Sequence, residues 1–167
     1  PEAADVCVVN SCTVTASADQ KTRQTLRRIR RENPGAVLVL TGCYPQAAPE
    51  SADLPEADII TGTRGRAQIL PLVKKFLADH ERTVSVLPHE RREAFEEMSA
   101  GSMPGHTRAF VKIEDGCEQF CSYCAIPFAR GPVRSKPLDE ITAELARLAD
   151  TAGAKVVGDF LQKREKP

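Results

Sequence analysis

The sequence predicts an α/β protein that begins with a small open parallel sheet. Short runs rich in β-branched residues alternate with helical periodicity between residues 5 and 79, and each run closes at a turn signal. Strands that alternate with helices need right-handed crossovers, which leave neighbouring strands parallel. A second strand, loop, helix and strand pattern beyond residue 106 reads as the opening unit of a barrel or a doubly wound sheet.

The first strand is Asp5-Val-Cys-Val-Val-Asn10, which ends at an Asn-Ser turn signal. A helix follows from Ala16 to Glu32, where Ala18, Thr22, Leu26 and Ile29 recur at three- and four-residue spacings, and Asn33-Pro34-Gly35 stops it. Val37-Leu-Val-Leu-Thr41 is the next strand. Residues 45–54, rich in Pro, Ala and Glu, have room for a short helix, and Ala57-Asp-Ile-Ile60, closed by Thr61-Gly62, is a third strand. From Arg66 to Asp79, the residues Ile69, Leu72, Val73, Phe76 and Leu77 trace the stripe of a core-facing helix. Residues 80–106 lose periodicity and collect charge at His89-Glu90-Arg91-Arg92-Glu93 and loop formers at Ser102, Pro104 and Gly105. They read as a linker or lid between domains at 1–79 and 107–167. The second domain opens with a strand at Ala109-Phe-Val-Lys-Ile113. A helix after Pro137 turns Leu138, Ile141, Leu145 and Leu148 one way, and Lys155-Val-Val157 starts another strand.

The 167 residues are 41% hydrophobic and 28% charged, which suits a soluble globular chain and excludes collagen, mucin and coiled-coil classes. Lys and Arg total 23 against 23 Asp and Glu, so any basic surface is local. No apolar run approaches the roughly 20 residues of a membrane span, and no basic region precedes an apolar core near residue 1. The expectation is a soluble, cytoplasmic protein with no membrane partner. The six cysteines, Cys7, Cys12, Cys43, Cys117, Cys121 and Cys124, are few for a disulfide scaffold, and the crowding of the last three points to metal.

Cys117, Cys121 and Cys124 have the spacing C-x3-C-x2-C on a loop after a strand. Three thiolates on a short loop can each hold one corner of a four-iron cluster, leaving the fourth iron open to a cofactor or substrate. The alternative is a tetrahedral zinc site with His106 as fourth ligand. An unpaired triplet favours the cluster, since zinc sites prefer two separated pairs. Cys12 and Cys43 each follow a strand and so emerge at the carboxyl edge of the sheet, where open α/β folds bind ligands. On their own they are equally well core fillers. Cys7 lies in mid-strand and reads as a small buried hydrophobe.

The triplet, with Tyr123 before its last cysteine, resembles the signature of radical S-adenosylmethionine enzymes. The run Val111-Lys-Ile-Glu-Asp-Gly-Cys117 through Ile126-Pro-Phe-Ala-Arg-Gly131, then Arg134-Ser135, resembles their methylthiotransferase branch. So do Asn10-Ser-Cys-Thr-Val-Thr15, Lys21-Thr-Arg-Gln24 and Thr41-Gly-Cys-Tyr44, whose wording is most similar to the enzymes that act on threonylcarbamoyladenosine at position 37 of transfer RNA. The resemblance implies that Cys117, Cys121 and Cys124 hold a four-iron, four-sulfur cluster that binds and reductively cleaves S-adenosylmethionine. It implies that Tyr123 lies against the adenine, and that the resulting radical takes hydrogen from C2 of the target base. The resemblance also implies a second such cluster, held by Cys12, Cys43 and a third ligand expected from a strand that precedes residue 1, which supplies the methylated sulfur. Transfer RNA and a flavodoxin- or ferredoxin-like electron donor are the implied partners. Arg130 and Arg134 match the motif as cofactor-binding and substrate-binding residues, or they pair with Glu114 and Asp115. Other readings are a radical enzyme with another substrate, such as isopentenyladenosine transfer RNA or a ribosomal protein, and a zinc-stabilised binding module.

Against the family pattern, the chain is expected to be truncated at both ends. A full barrel takes about 250 residues, far more than residues 107–167 supply, so the second domain reads as the start of a partial barrel that does not modify transfer RNA alone. Lys21, Arg23, Arg27, Arg28, Arg30 and Arg31 put cations on one helix, read first as a solvated face and second as a phosphate contact. His80, His89 and His106 lack a paired-ligand pattern and are expected to be solvent-exposed.

Overall fold

The computed structural model describes residues 4–96 and 109–158; His106, much of the expected linker and the last residues lie outside the described residues. The chain divides into two compact units, Pro1–Glu96 with Asp115–Arg134, and Glu97–Glu114 with Ser135–Pro167.

The first unit is built on β1 (Val6–Ser11), α1 (Ala16–Glu32), β2 (Val37–Gly42), α2 (Cys43–Ala47), β3 (Ile59–Thr61), α3 (Ile69–Asp79) and β4 (Thr83–Ser85). The four strands pair in the order β1-β2-β3-β4, each parallel to its neighbour. The α/β expectation with an open parallel sheet is therefore met. In β2 every residue is buried, as expected of a Val-Leu-Val-Leu run covered on both faces. The register pairs Cys7 with Leu38 and Val9 with Leu40, and these face a core of Leu26, Tyr44, Leu54 and Ile60. The other face carries Val37, Val39 and Ile59 against Val73, Ile69, Leu72 and Phe76 of α3. Cys7 is half-buried and packs against the first of these cores, close to its expected role.

Helix α1 starts where the Thr15 hydroxyl accepts the Ala18 N–H at 3.2 Å. Four of its six cations, Lys21, Arg27, Arg28 and Arg31, are exposed, as a solvated face requires, and Arg23 and Arg30 are half-buried. Arg30 donates to the Asp58 carboxylate at 2.6 Å and to the carbonyls of Ala36 and Glu56, Arg27 pairs with Glu56, and Arg23 donates to the Tyr44 hydroxyl at 2.7 Å. These bonds moor the helix to the loops flanking β2 and β3. Lys21, Arg28 and Arg31 have no ion pair among the described residues and line one groove with Gln24 and Thr25.

Tyr44 is 1% exposed, and its hydroxyl also donates to the Ser51 carbonyl at 2.7 Å. Tyr44→Phe strips the Ser51 carbonyl of its donor and Arg23 of its acceptor. The expected loss is about 1–2 kcal/mol, to be read from the urea midpoint.

Several boundaries differ from the expectation. The third strand begins at Ile59, because Asp58 spends its carboxylate on the Leu38 N–H and Arg30. The short helix starts at Cys43, ahead of the expected stretch. Strand β4 falls inside the expected linker: Thr83-Val-Ser is too short to show a two-residue period, and pairing with β3 defines it. Ala109–Ile113 is not a strand; pairing there is confined to β5 (Glu114–Asp115) and β6 (Arg134–Ser135). A five-residue helix, α4 (Ile126–Arg130), was not indicated by periodicity.

The second unit holds α5 (Leu138–Thr151), placed as expected after Pro137, and a Lys136–Glu144 ion pair whose side chains are 8% and 10% exposed. Lys155–Val157 is no strand, since nothing among the described residues pairs with it. Leu138, Leu145, Val156 and Val157 are exposed.

Candidate functional site

Parallel strands end together, and the last rung of β1 and β2 pairs Ser11 with Gly42. The next residue on each chain is a cysteine. Cys12 is exposed, and Cys43, the first residue of α2, is 7% exposed. Gly42 has φ +103°, and a Cβ there would lie 2.5 Å from the Ser11 carbonyl oxygen, so the two strand ends meet more closely than a side chain allows. The Ser11 hydroxyl donates to the Thr41 carbonyl at 2.7 Å and accepts the Tyr44 N–H at 3.3 Å, which fixes the turn into α2.

The thiol triplet lies on a loop in this same unit. Its neck is closed by the Cys117 N–H donating to the Gly131 carbonyl at 3.0 Å, and the Cys124 N–H turns back to the Cys121 carbonyl at 2.9 Å. Cys117 and Cys124 are half-buried and Cys121 is exposed; all are free thiols. Around them Phe120, Tyr123 and Phe128 are exposed, Tyr123 by 89% of its surface, and Phe120 stands edge-on to Phe128. Phe120 also has φ +44°, an uncommon conformation for a bulky residue.

Helix α4 at the end of this loop packs against α2. That packing brings Arg130 beside Cys43 and onto Asp115, to which it donates at 3.1 Å. Burial works against the Arg130 charge, but the hydrogen bond and charge of Asp115, with a smaller contribution from Cys43, hold its pKa above the ordinary guanidinium value. The Nε of Arg130 is buried with no acceptor among the described residues. Arg134 is 9% exposed and lies between Glu93, at 2.8 Å, and Asp115, at 3.6 Å.

His89 overturns its expectation of solvent exposure, since its side chain is 10% exposed. Its Nδ1 lies 3.1 Å from the Glu93 carboxylate and its Nε2 3.1 Å from the Thr63 hydroxyl, which donates to the Ala129 carbonyl at 2.6 Å. Thr63 and Glu93 were not singled out by sequence; the one trace was the four-residue spacing of His89 and Glu93 inside a charge run. Burial pushes the Glu93 pKa up, but the Glu90 N–H, His89 and Arg134 outweigh it and hold the carboxyl below its usual range. A carboxylate lowered on folding stabilises the fold above its ordinary value of 4.5, and this contribution is lost as pH falls through the lower folded value. Urea midpoints are expected to fall on acidification below 4.5, with a shallower slope in Glu93→Gln.

Three thiols on one loop suit iron–sulfur ligation by donor chemistry. Among the described residues no three His, Cys, Asp or Glu groups are gathered closely enough to hold a single metal ion.

This arrangement, an α/β domain with thiols at the carboxyl edge of its sheet and a thiol-triplet loop packed beside it, defines a class that comparison with known proteins makes specific. Residues 1–62 match the family model described as "Uncharacterized protein family UPF0004". The threonylcarbamoyladenosine tRNA methylthiotransferase MtaB of Bacillus subtilis is 36% identical over 157 residues, 93% of this chain and 35% of the relative. The MtaB of Aquifex aeolicus is 37% identical over 155 residues, 92% of this chain and 38% of the relative. A tRNA-2-methylthio-N(6)-dimethylallyladenosine synthase of Anaplasma marginale is 31% identical over 161 residues, 94% of this chain and 35% of the relative. The chain is similar to these tRNA methylthiotransferases, and it spans about a third of the length of the curated relatives it matches. Among the described residues no helix is long and apolar enough to cross a membrane.

Proposed function

We propose that this chain is part of a radical S-adenosylmethionine methylthiotransferase that modifies adenosine 37 of transfer RNA, with threonylcarbamoyladenosine as the substrate base. The observation that carries this reading is the packing of the thiol-triplet loop, through α4, onto the helix that begins with Cys43. A sulfur-donating centre and a radical-generating centre have to act on one base, and the chain brings their candidate ligands into one unit.

Cys117, Cys121 and Cys124 would hold the cluster that cleaves the cofactor; Cys12 and Cys43 would contribute to the second. When bound, these groups supply reductive cofactor cleavage and a sulfur source. The side chains then have plainer tasks. Exposed Tyr123 offers a flat face to an adenine, and Arg130 offers charge beside Cys43. In this reading residues 1–79 form the methylthiotransferase amino-terminal domain and residues 107–167 begin the radical domain. Reduction would come from a flavodoxin- or ferredoxin-like donor.

The test is nucleoside mass spectrometry of transfer RNA from cells with and without the gene. Loss of the methylthio form of threonylcarbamoyladenosine, with its unmodified precursor rising, supports the assignment. Loss of the methylthio-isopentenyl nucleoside moves the substrate to the other branch, and loss of neither removes transfer RNA as substrate.

Lys21, Arg28 and Arg31 are the α1 cations free to meet phosphate. Changing all three to Gln is expected to weaken transfer RNA binding and lower the slope of log affinity against log salt by roughly 2–3. Fluorescence titration at several salt concentrations checks this, and an unchanged slope places the contact elsewhere.

A further inference from the structure

We propose that the stretch His89–Glu93 is a clasp that holds the thiol loop in register with the sheet, and that Glu93 and His89 are its positioning residues. The inference goes beyond the transferase reading and rests on it only for what the loop is positioned to hold.

The loop has two roots, residues 115–117 and 129–134, and the clasp grips both. At the first, Arg134 joins the Glu93 carboxylate at 2.8 Å to Asp115 at 3.6 Å, and Asp115 in turn takes the Gly116 N–H at 3.0 Å. At the second, His89 passes through the Thr63 hydroxyl to the Ala129 carbonyl. The ring of His89 also lies directly over Gly131: a Cβ at that glycine would be 2.4 Å from the ring carbon Cγ. Glu93 itself is anchored by the Glu90 N–H at 2.6 Å and by Arg64 at 3.5 Å. Asp115, Glu93, Arg134 and His89 have side chains at most 10% exposed, so these bonds are shielded from water and from salt.

Such an arrangement is costly to assemble and costly to break at one point, because a lone buried charge is left behind. It fits a loop whose thiols must keep a fixed spacing before any group is bound. Sequence periodicity cannot show it, since the clasp is made by side chains 41 residues apart.

The experiment uses the reduced, metal-free chain, so its failure is separate from failure of the transferase assignment. Amide exchange at Cys117 and Gly131 and alkylation of the Cys117 thiol by iodoacetamide are measured in wild type, Glu93→Gln, Arg134→Gln, their double variant, Thr63→Val and a core control, Leu40→Val. Glu93→Gln is expected to speed loop exchange and alkylation by roughly tenfold. Thr63→Val, which removes the hydroxyl contact at the second root and leaves the His89 ring over Gly131, speeds Gly131 exchange. Leu40→Val lowers global stability and speeds exchange in β2 without moving the loop, because it weakens the closed and the loop-open forms alike. In the double variant Glu93→Gln with Arg134→Gln the loop opens no further than in either single variant. The proposal is overturned if loop exchange and alkylation stay at wild-type rates in Glu93→Gln and Thr63→Val, if Leu40→Val moves the loop as much as Glu93→Gln does, or if the two charge substitutions add.

Discussion

Alanine in place of any one of Cys117, Cys121 or Cys124 is expected to abolish retention of iron and sulfide at the loop after anaerobic reconstitution. The three thiols sit on one short segment between a neck closed at Cys117 and the start of α4, and the donors nearest them in sequence are the carboxylates Asp115 and Glu118. Asp115 is committed to Arg130 and Arg134, and a carboxylate is a harder ligand than thiolate. Losing one thiol therefore leaves two irons without a protein ligand. The substitution costs little fold stability, since Cys121 is exposed and the others are half-buried, so a lost cluster at an unchanged urea midpoint isolates ligation. Cys7→Ser is the matched control: Cys7 packs against the Leu38 core, and a hydroxyl there is expected to cost about 1 kcal/mol with iron unchanged. A Cys121→Ala protein that reconstitutes with wild-type iron and sulfide would sink the cluster assignment.

Much of the sheet was legible because its signals are local. Val-Leu-Val-Leu is buried on both faces, and the helices over Ala16–Glu32 and Ile69–Asp79 show their stripes in a few turns. The thiols were legible for the same reason, as spacing is written in the chain. What the sequence hid depends on tertiary pairing. Three-residue β4 exists because β3 offers it a partner. His89 looks like one charge among five until Gly131 and Thr63 are brought beneath its ring. The cations of α1 divide: Lys21, Arg27, Arg28 and Arg31 are exposed, as a solvated face requires, whereas Arg23 and Arg30 are half-buried against Tyr44, Asp58 and backbone carbonyls, partners that only the fold supplies.

Gly116→Ala is expected to open the neck of the thiol loop and to reduce iron uptake nearly as far as a cysteine substitution, with every thiol still present. Gly116 has φ +92°, a region that costs a side-chain-bearing residue roughly 1–2 kcal/mol. The added Cβ would also stand 2.0 Å from the Pro132 carbonyl oxygen, 2.6 Å from its carbon and 2.8 Å from the Gly131 oxygen. All three are backbone atoms, so no flexible side chain can swing aside, and relief requires the two roots of the loop to separate. The bond that separation breaks is the neighbouring one, Cys117 N–H to the Gly131 carbonyl. Together the strain and the clash come to about 3 kcal/mol or more, enough to leave the neck mostly open. The sheet should survive, because its two cores lie on β2 and do not include the loop. Gly153 provides the comparison: its φ is +75° but nothing lies within 4 Å of an added Cβ. Gly153→Ala therefore pays the backbone strain alone and should load iron like wild type. If both alanine variants take up iron equally, the close approach at the neck does not govern the site; if only Gly116→Ala fails while β2 amides stay protected from exchange, loop closure is a requirement for ligation separate from the thiols themselves.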